Sequence, residues 1–288
     1  MIFEFDEFEI NQASPQSRVV FWAFKPTNED LTGVAVDVYR AYASTGEFAK
    51  VATVQYPQTY YVDSEINLRD FWRDANYRIE STYQGKTIKK GPQGLDSVLS
   101  VPAKEMVRLH SIDLRFSGMP VLVYLRRRGS RCPDCWDPEL QKVTRSECTT
   151  CFATGYLGGY YPPILTLGNI IPEDKSNQPD VTIRESTKTS MKMSSYPIIR
   201  PRDAIREVNT PNFWRVVSVN CSEVERVITV QELTLVKLET AEIEHKLPIP
   251  DGLSFLIKPH WAKVIRKQHT FVTHERAKDP VERVEIWR

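Results

Sequence analysis

Four cysteines arranged as two Cys-x-x-Cys pairs constrain this chain more strongly than any other feature. Cys132 and Cys135 form the first pair, Cys148 and Cys151 form the second, and twelve residues separate the pairs. A Cys-x-x-Cys turn bends the backbone so that both thiolates face one point, and two such turns at this spacing are typical of a tetrathiolate zinc site. Because four protein ligands leave no position for water, the spacing predicts one structural Zn²⁺ per chain.

Two other interpretations of the cysteines stay open from the spacing alone, namely disulfides or a redox pair, and an iron–sulfur site. The fifth cysteine, Cys221, stands apart, and this usage fits a reducing compartment better than a secreted disulfide framework. A thioredoxin-like role is disfavoured because no apolar helix pattern follows either pair. The formal charge of −2 that four thiolates leave on Zn²⁺ can be offset by Arg131, Lys142 and Arg145.

The balance of charge limits the partners that this chain can attract. Lys and Arg number 38 against 37 Asp and Glu, so no global positive field indicates a nucleic-acid binder. The one conspicuous basic patch consists of Arg126, Arg127, Arg128 and Arg131. The N-terminal sequence lacks the pattern of a signal peptide, and no segment approaches the ~20 apolar residues that span a bilayer. We therefore expect assembly in a cytoplasm and no membrane partner.

No catalytic motif stands out in the sequence. There is no P-loop, no GxSxG turn and no GxGxxG loop, and the five histidines form no metal-binding pair. Glu185 and Lys188 resemble part of a restriction-type nuclease pattern, but two residues separate them where that pattern has one. The sequence therefore predicts neither an enzyme nor a small-molecule substrate.

The N-terminal third of the chain reads as short strands separated by turn residues. Val34, Val36 and Val38 alternate at period two, which is typical of a sheet covered on one side. We expect residues 1–17 to be an arm and residues 18–90 to form an antiparallel sandwich.

This part of the sequence also resembles a fibronectin type III or related immunoglobulin-like module. The resemblance lies in the segment from VDVYRAY to NYRIES, in which Tyr77 and Ile79 match the Tyr-x-Ile of the sixth strand. It implies that the Tyr77 hydroxyl caps a backbone loop and that Ile79 packs inward.

A helix and an insertion follow the sandwich. Ser100 is a suitable N-cap and Gly118 a suitable end, so the pattern predicts a helix between them within a linker, helix and strand region at residues 91–128. Its apolar stripe, which needs a partner surface, consists of Val101, Met106, Leu109, Ile112 and Phe116.

The remaining residues complete a predicted mainly β fold. The cysteine segment, residues 129–163, lies between two strand candidates and reads as an inserted four-Cys zinc ribbon. Residues 164–250 read as a β-barrel body, and residues 251–288 as a C-terminal extension. The expected fold is therefore an immunoglobulin/fibronectin-like sandwich, a β-barrel connector body with one helix, and the ribbon.

Two further resemblances come from the ribbon and the barrel segment. CTTCFATG is similar to one unit of the DnaJ-type chaperone zinc domain, with Ala153 in place of the first glycine, but that domain needs several units. The segment from PRDAIREV to TLVKLE resembles head-closure or head–tail connector proteins in the neck of tailed bacteriophages. The positions that match are Arg202, Asp203, Trp214, Val216, Gln231 and Leu235.

The neck resemblance implies a location and partners. Such proteins form rings of six or twelve copies between the portal or adaptor and the tail, around the packaged double-stranded DNA. The chain would be a virion component assembled in the host cytoplasm. The polar segment 175–195 would project into the channel with Arg184, Lys188 and Lys192 facing DNA, although an ordinary exposed hairpin explains its composition as well.

A ring requires contacts between subunits, and the ribbon offers candidates for them. A baseplate or tail attachment protein of the same virion class, or a DNA-binding module that uses the ribbon and the arginine run, are the alternatives to the neck protein. The expected subunit-contact residues are Trp136, Tyr160, Tyr161, Arg126, Arg127 and Arg128.

Overall fold

A computed structural model describes residues 3–14, 17–26, 31–42, 46–64, 75–95, 100–171 and 188–260 of the chain. The described residues form a two-sheet sandwich, a closed β-barrel, a small ribbon that carries the cysteines, and one long helix. The mainly β fold that the sequence predicts is therefore confirmed.

The sandwich has the strand order of a fibronectin-type module. A three-stranded sheet, β1-β2-β5, faces a four-stranded sheet, β4-β3-β6-β7, and every pairing within them is antiparallel. Trp22, Tyr77 and Ile79 are fully buried between the sheets. The strands are β1 (Phe5–Ser14), β2 (Ser17–Phe24), β3 (Ala35–Ala41), β4 (Ala49–Gln55), β5 (Tyr60–Asp63), β6 (Asn76–Tyr83) and β7 (Lys86–Gln93).

The expected N-terminal arm is instead the first strand of the sandwich. β1 pairs with β2 from Phe5 opposite Phe24 to Ser14 opposite Ser17. Phe8 and Ile10 enter the core, while acidic residues occupy the alternate positions. Burying one face of this alternating sequence removes its aromatic side chains from water, which favours a strand over an unpacked arm.

Tyr77 is buried as the fibronectin resemblance implies, but its hydroxyl has a different partner. It donates to the carboxylate of Asp63 at 2.8 Å, and not to a backbone loop. Arg40 donates to the same carboxylate at 2.7 Å. Burial, followed by the charge of Asp63, raises the pKa of Tyr77. The buried carboxylate therefore takes the place that a backbone carbonyl was expected to hold.

The predicted helix is confirmed at both ends. α1 spans Val101–Ser117, the Ser100 hydroxyl accepts a hydrogen bond from the Ala103 amide at 3.3 Å, and the Gly118 amide donates to the Leu114 carbonyl. The apolar stripe, however, lies on the exposed side of this helix. No helix among the described residues is long and apolar enough to cross a bilayer.

The barrel closes with the strand order β11-β12-β15-β14-β13-β8. β8 and β11 are hydrogen-bonded neighbours, with Ile164 opposite Val123, and the ribbon is inserted between them. α1 packs against the barrel through Ala103, Val107 and Leu114. The remaining elements are β8 (Met119–Tyr124), β9 (Trp136–Asp137), β10 (Lys142–Val143), β11 (Ile164–Ile171), β12 (Lys188–Ser194), β13 (Ala204–Glu207), β14 (Phe213–Val224), β15 (Val227–Lys237) and a 3₁₀ turn (Ile243–Lys246).

Part of the segment expected to project as a polar loop is a wall of the barrel. β12 pairs with both β11 and β15, and Met191 and Met193 are fully buried in the core. These two methionines alternate with polar residues at period two, which is a strand pattern that the surrounding serines and lysines obscure. Residues 172–187 lie outside the described part of the chain.

Gln231 shows how a buried polar side chain completes this barrel. It lies on β15, is fully buried, and donates to the carbonyls of Ser194 and Pro197, each at 2.7 Å. Its carbonyl oxygen accepts from the Ile199 amide at 2.8 Å. One side chain thus satisfies three backbone groups where the chain leaves β12.

We predict that Gln231→Leu lowers the free energy of unfolding by about 2–5 kcal/mol, because three buried backbone groups lose their partner. Gln55→Leu, at an exposed position of β4, is the matched control and should change stability by less than about 0.5 kcal/mol. Chemical denaturation followed by tryptophan fluorescence measures both values. Equal stability of the two variants would contradict the role of Gln231.

Candidate metal centre

The four sulfurs of the two Cys-x-x-Cys pairs meet at one point inside the ribbon. All four Sγ atoms lie within 4.8 Å of one another, with Cys132 and Cys148 3.9 Å apart and Cys135 and Cys151 3.2 Å apart. All four side chains are buried. Four sulfurs around a tetrahedral ion with bonds of about 2.3 Å lie roughly 3.8 Å apart. The cluster therefore has the size and ligands of a metal site.

Two similar turns position these sulfurs. In the first turn the Trp136 amide donates to the Cys132 carbonyl at 3.1 Å, and in the second the Phe152 amide donates to the Cys148 carbonyl at 2.8 Å. The short strands β9 and β10 form a hairpin between the turns, with Lys142 opposite Asp137. The twelve-residue spacing is therefore the length that a hairpin needs to return the chain to the first pair.

The second turn requires left-handed backbone conformations. Phe152 has a φ of 49° and Ala153 a φ of 58°. Residues other than glycine rarely adopt these backbone angles. Ala153 adopts this conformation although it carries a side chain. Gly159 approaches the Cys151 carbonyl so closely that an added Cβ would lie 2.7 Å from its oxygen. The turn therefore depends on glycine at position 159.

The thiols differ in how readily they ionise. Burial opposes ionisation of Cys148, but hydrogen bonds from the backbone amides of Cys151 and Thr150 outweigh it and lower the pKa of Cys148 to about 7. Burial and the neighbouring thiols raise the pKa of Cys135. A bound cation would reverse the second effect, because it stabilises every thiolate around it.

Arg131, the residue before Cys132, is exposed and lies against two aromatic rings of the ribbon. Its guanidinium lies 3.8 Å from the centre of the Trp136 ring and 4.4 Å from the centre of the Tyr156 ring. Trp136 is therefore held inside the ribbon by a cation–π contact, although it is only half-buried.

Arg127, which belongs to the same basic patch, connects the ribbon to the sandwich. Arg127 donates to the Phe24 carbonyl at 3.2 Å and to the Tyr160 carbonyl at 3.3 Å, and it lies 3.5 Å from the carboxylate of Asp6. Its guanidinium covers the Tyr161 ring, at 4.4 Å from the ring centre. Its side chain retains 11% of its exposure, so the charge is largely withdrawn from water.

Tyr160 and Tyr161 also make their contacts within the chain. Both are buried, and the Tyr161 hydroxyl donates to the carboxylate of Glu7 on β1 at 2.6 Å. With Arg127, Tyr161 holds the end of the ribbon against the sandwich, while Tyr160 packs with buried side chains of the barrel. Both tyrosines are therefore used within the chain, in place of the subunit contact expected for them. Sequence reasoning missed this role because the partners, Phe24 and Glu7, are more than a hundred positions away.

Arg126 fastens the ribbon to the barrel in the same way. Its amide donates to Asp203 at 2.9 Å, its guanidinium donates to the Thr154 carbonyl, and the other oxygen of Asp203 accepts from the Arg200 amide at 2.7 Å. Burial raises the pKa of Asp203 to about 6, and the two amides oppose that rise. Asp203, a position of the neck resemblance, thus acts as a structural link.

The other candidate residues lie apart from the cysteine cluster. Arg128 is exposed at the base of the ribbon, and Leu140 is exposed on the hairpin. Lys188 is exposed on β12, and Lys192 forms an ion pair with Glu232 at 3.2 Å. Arg184 lies outside the described residues.

Comparison of the sequence with known protein families and with curated proteins finds no match. Within the described residues, the four cysteines are the only group of His, Cys, Asp and Glu side chains close enough to hold a metal ion.

We predict that Cys148→Ser abolishes the binding of one metal ion per chain, because three sulfurs and a hydroxyl hold a thiophilic ion weakly. Cys221→Ser, which changes a cysteine outside the cluster, should leave metal content unchanged. Elemental analysis by mass spectrometry after gel filtration measures both. Limited proteolysis of Cys148→Ser should cut between residues 130 and 160 and leave the sandwich intact; equal metal content in both variants would contradict the site.

Proposed function

We propose that this chain is a structural subunit of the tailed-bacteriophage neck, where copies form a ring that joins the portal or adaptor to the tail. The observation that carries the proposal is the buried junction at Arg127, a residue that follows β8 of the barrel and contacts both the ribbon and the sandwich. A subunit that transmits force between head and tail needs parts that do not move independently. Buried charged and aromatic contacts between modules supply that restraint.

The positions that resemble neck proteins support the proposal by where they lie. Val216 and Leu235 belong to the barrel core, and Trp214 donates to the buried carboxylate of Glu207 at 2.7 Å. Gln231 and Asp203 complete backbone hydrogen bonds at the barrel ends. The resemblance is thus carried by residues that specify a barrel, which is what is expected when a fold is shared and a catalytic site is not.

We further propose that the ion held by the four cysteines is Zn²⁺ and that its role is structural. Zn²⁺ accepts four thiolates in tetrahedral geometry, and a site with four protein ligands has no open position for substrate or water. The ribbon hairpin, with strands of two residues each, buries little apolar surface. Metal binding would therefore supply stability that packing alone does not.

A ring needs two different complementary surfaces on each subunit. With Tyr160, Tyr161 and Arg127 used internally, the ribbon keeps Arg128, Leu140 and the outer edge of Trp136 for a neighbour. Leu140 is 59% exposed on the hairpin, so most of its large apolar side chain faces water. We assign it to the subunit interface.

Negative-stain microscopy and sedimentation velocity of the full chain test the ring. We expect closed rings of six or twelve copies. Salt-sensitive binding of linear DNA by a chain that stays monomeric would instead support a DNA-binding module. That alternative would have to rely on few free charges, because three of the four arginines near the ribbon contact aromatic rings or carbonyls of their own chain.

We predict that Leu140→Asp raises the protein concentration needed for half-assembly by about tenfold, which corresponds to roughly 1.4 kcal/mol per contact. Ile249→Asp, at a similarly exposed position outside the ribbon, is the control and should assemble like the unchanged chain. Both variants should keep their metal ion. Unimpaired assembly of Leu140→Asp would exclude the ribbon from the interface without excluding a ring built through other surfaces.

A further inference from the structure

The side of α1 that points away from the barrel carries large apolar residues exposed to water. This outer face contrasts with the inner side, which contacts the barrel through small or mid-sized residues. Val101 and Phe116, near its two ends, are 73% and 66% exposed. The outer face consists of Val101, Met106, Leu109, Ile112 and Phe116.

Exposure of this kind is unusual for a helix on the surface of a folded chain. Residues 109, 112 and 116 recur at helical spacing and form one stripe, and the ion pair of Glu105 with Arg108 at 2.6 Å lies between this stripe and Val101 on the same side of the helix. Burying apolar area is favourable by about 25 cal/mol per Å², and a contiguous apolar patch usually marks a surface that has a partner. The outer face is therefore a surface that is expected to bind a partner segment.

The path of the chain indicates which segment is this partner. After the barrel the backbone reaches the C-terminal end of α1, where Ile257 packs with Leu114. The His260 amide donates to the Arg115 carbonyl at 2.9 Å, and the Arg115 side chain donates to the Lys258 carbonyl at 3.0 Å. The His260 ring then stacks on Phe116, with the ring centres 4.5 Å apart. The chain is thus anchored at the end of the outer face when residue 261 begins.

The sequence that follows His260 has the composition of a segment that binds an apolar surface. Residues 261–288 outnumber those of α1, so even a fully helical segment would be long enough to follow the whole outer face. Residues 172–187, the other long segment outside the described part of the chain, contain only Val181 and Ile183 as large apolar residues. The large apolar residues of the C-terminal segment are Trp261, Val264, Ile265, Phe271, Val272, Val281, Val284, Ile286 and Trp287.

We propose that residues 261–288 bind the outer face of α1 in the same chain. The attachment at His260 keeps the segment beside the face at a high effective concentration, so the contact needs little intrinsic affinity. The contact also removes the exposed stripe from water without requiring another copy. This inference does not depend on the ring proposed above.

Reactivity of a cysteine placed on the outer face tests the contact in the full chain. Leu109→Cys supplies the reporter in a Cys221→Ser background, while the four clustered cysteines are buried and therefore protected from labelling. Labelling is followed by mass spectrometry at a protein concentration below that of assembly. If the segment occupies the face about nine-tenths of the time, labelling is slowed about tenfold. A second reporter, Ala49→Cys on the exposed edge of β4, serves as the control position.

Two pairs of substitutions in the segment separate apolar contact from added charge. Trp261→Asp with Ile265→Asp should speed labelling of Leu109→Cys about tenfold and leave Ala49→Cys unchanged. Gln268→Asp with Thr270→Asp adds the same charge, removes no apolar residue, and should change neither rate. Unchanged labelling in the apolar pair would overturn the proposal. Protection that rises with protein concentration would also overturn it, because it would assign the face to a neighbouring copy.

Discussion

A guanidinium withdrawn from water is the interaction on which the arrangement of this molecule depends. Burial lowers the pKa of Arg127, since removing a cation from water is unfavourable unless other groups replace its hydration. The replacements come from two parts of the chain: the Phe24 carbonyl of the sandwich, and the Tyr160 carbonyl and Tyr161 ring at the end of the ribbon. Arg127 itself follows β8 of the barrel, so its charge is compensated only when the ribbon and the sandwich meet beside that strand.

Other buried polar side chains act on the same principle at shorter range. Asp63 accepts hydrogen bonds from Arg40 and Tyr77 within the sandwich. Asp203 connects the start of the ribbon to a barrel turn, and Gln231 hydrogen-bonds to the backbone that follows β12. Asp203 and Gln231 satisfy backbone groups that a regular strand would have paired along its length, and Asp63 satisfies two side-chain donors. The hydrophobic core makes the sheets stable, and these side chains determine how irregular segments leave and re-enter them.

The features that could be predicted from the sequence are those that depend on residues close together in the chain. The cysteine turns and the caps of α1 each lie within a few residues, and their geometry follows from residue type. The inner side of α1 was not identified, because apolar residues occupy both sides and only the barrel decides which is buried. The strand at Met191 and Met193 was hidden by polar neighbours. The partner of Tyr161, Glu7, could not be identified because a contact across more than a hundred residues leaves no local pattern.

The place at which the ribbon is inserted has a consequence for how this chain tolerates change. Its two ends emerge from β8 and β11, which are already held side by side by the hydrogen bonds of the barrel. The barrel therefore already holds the two ends of the insertion together. The entropy cost of closing the insertion as a loop increases only slowly with its length. The barrel can accept segments of different size at this point, which makes the position a natural site for exchanging one surface module for another.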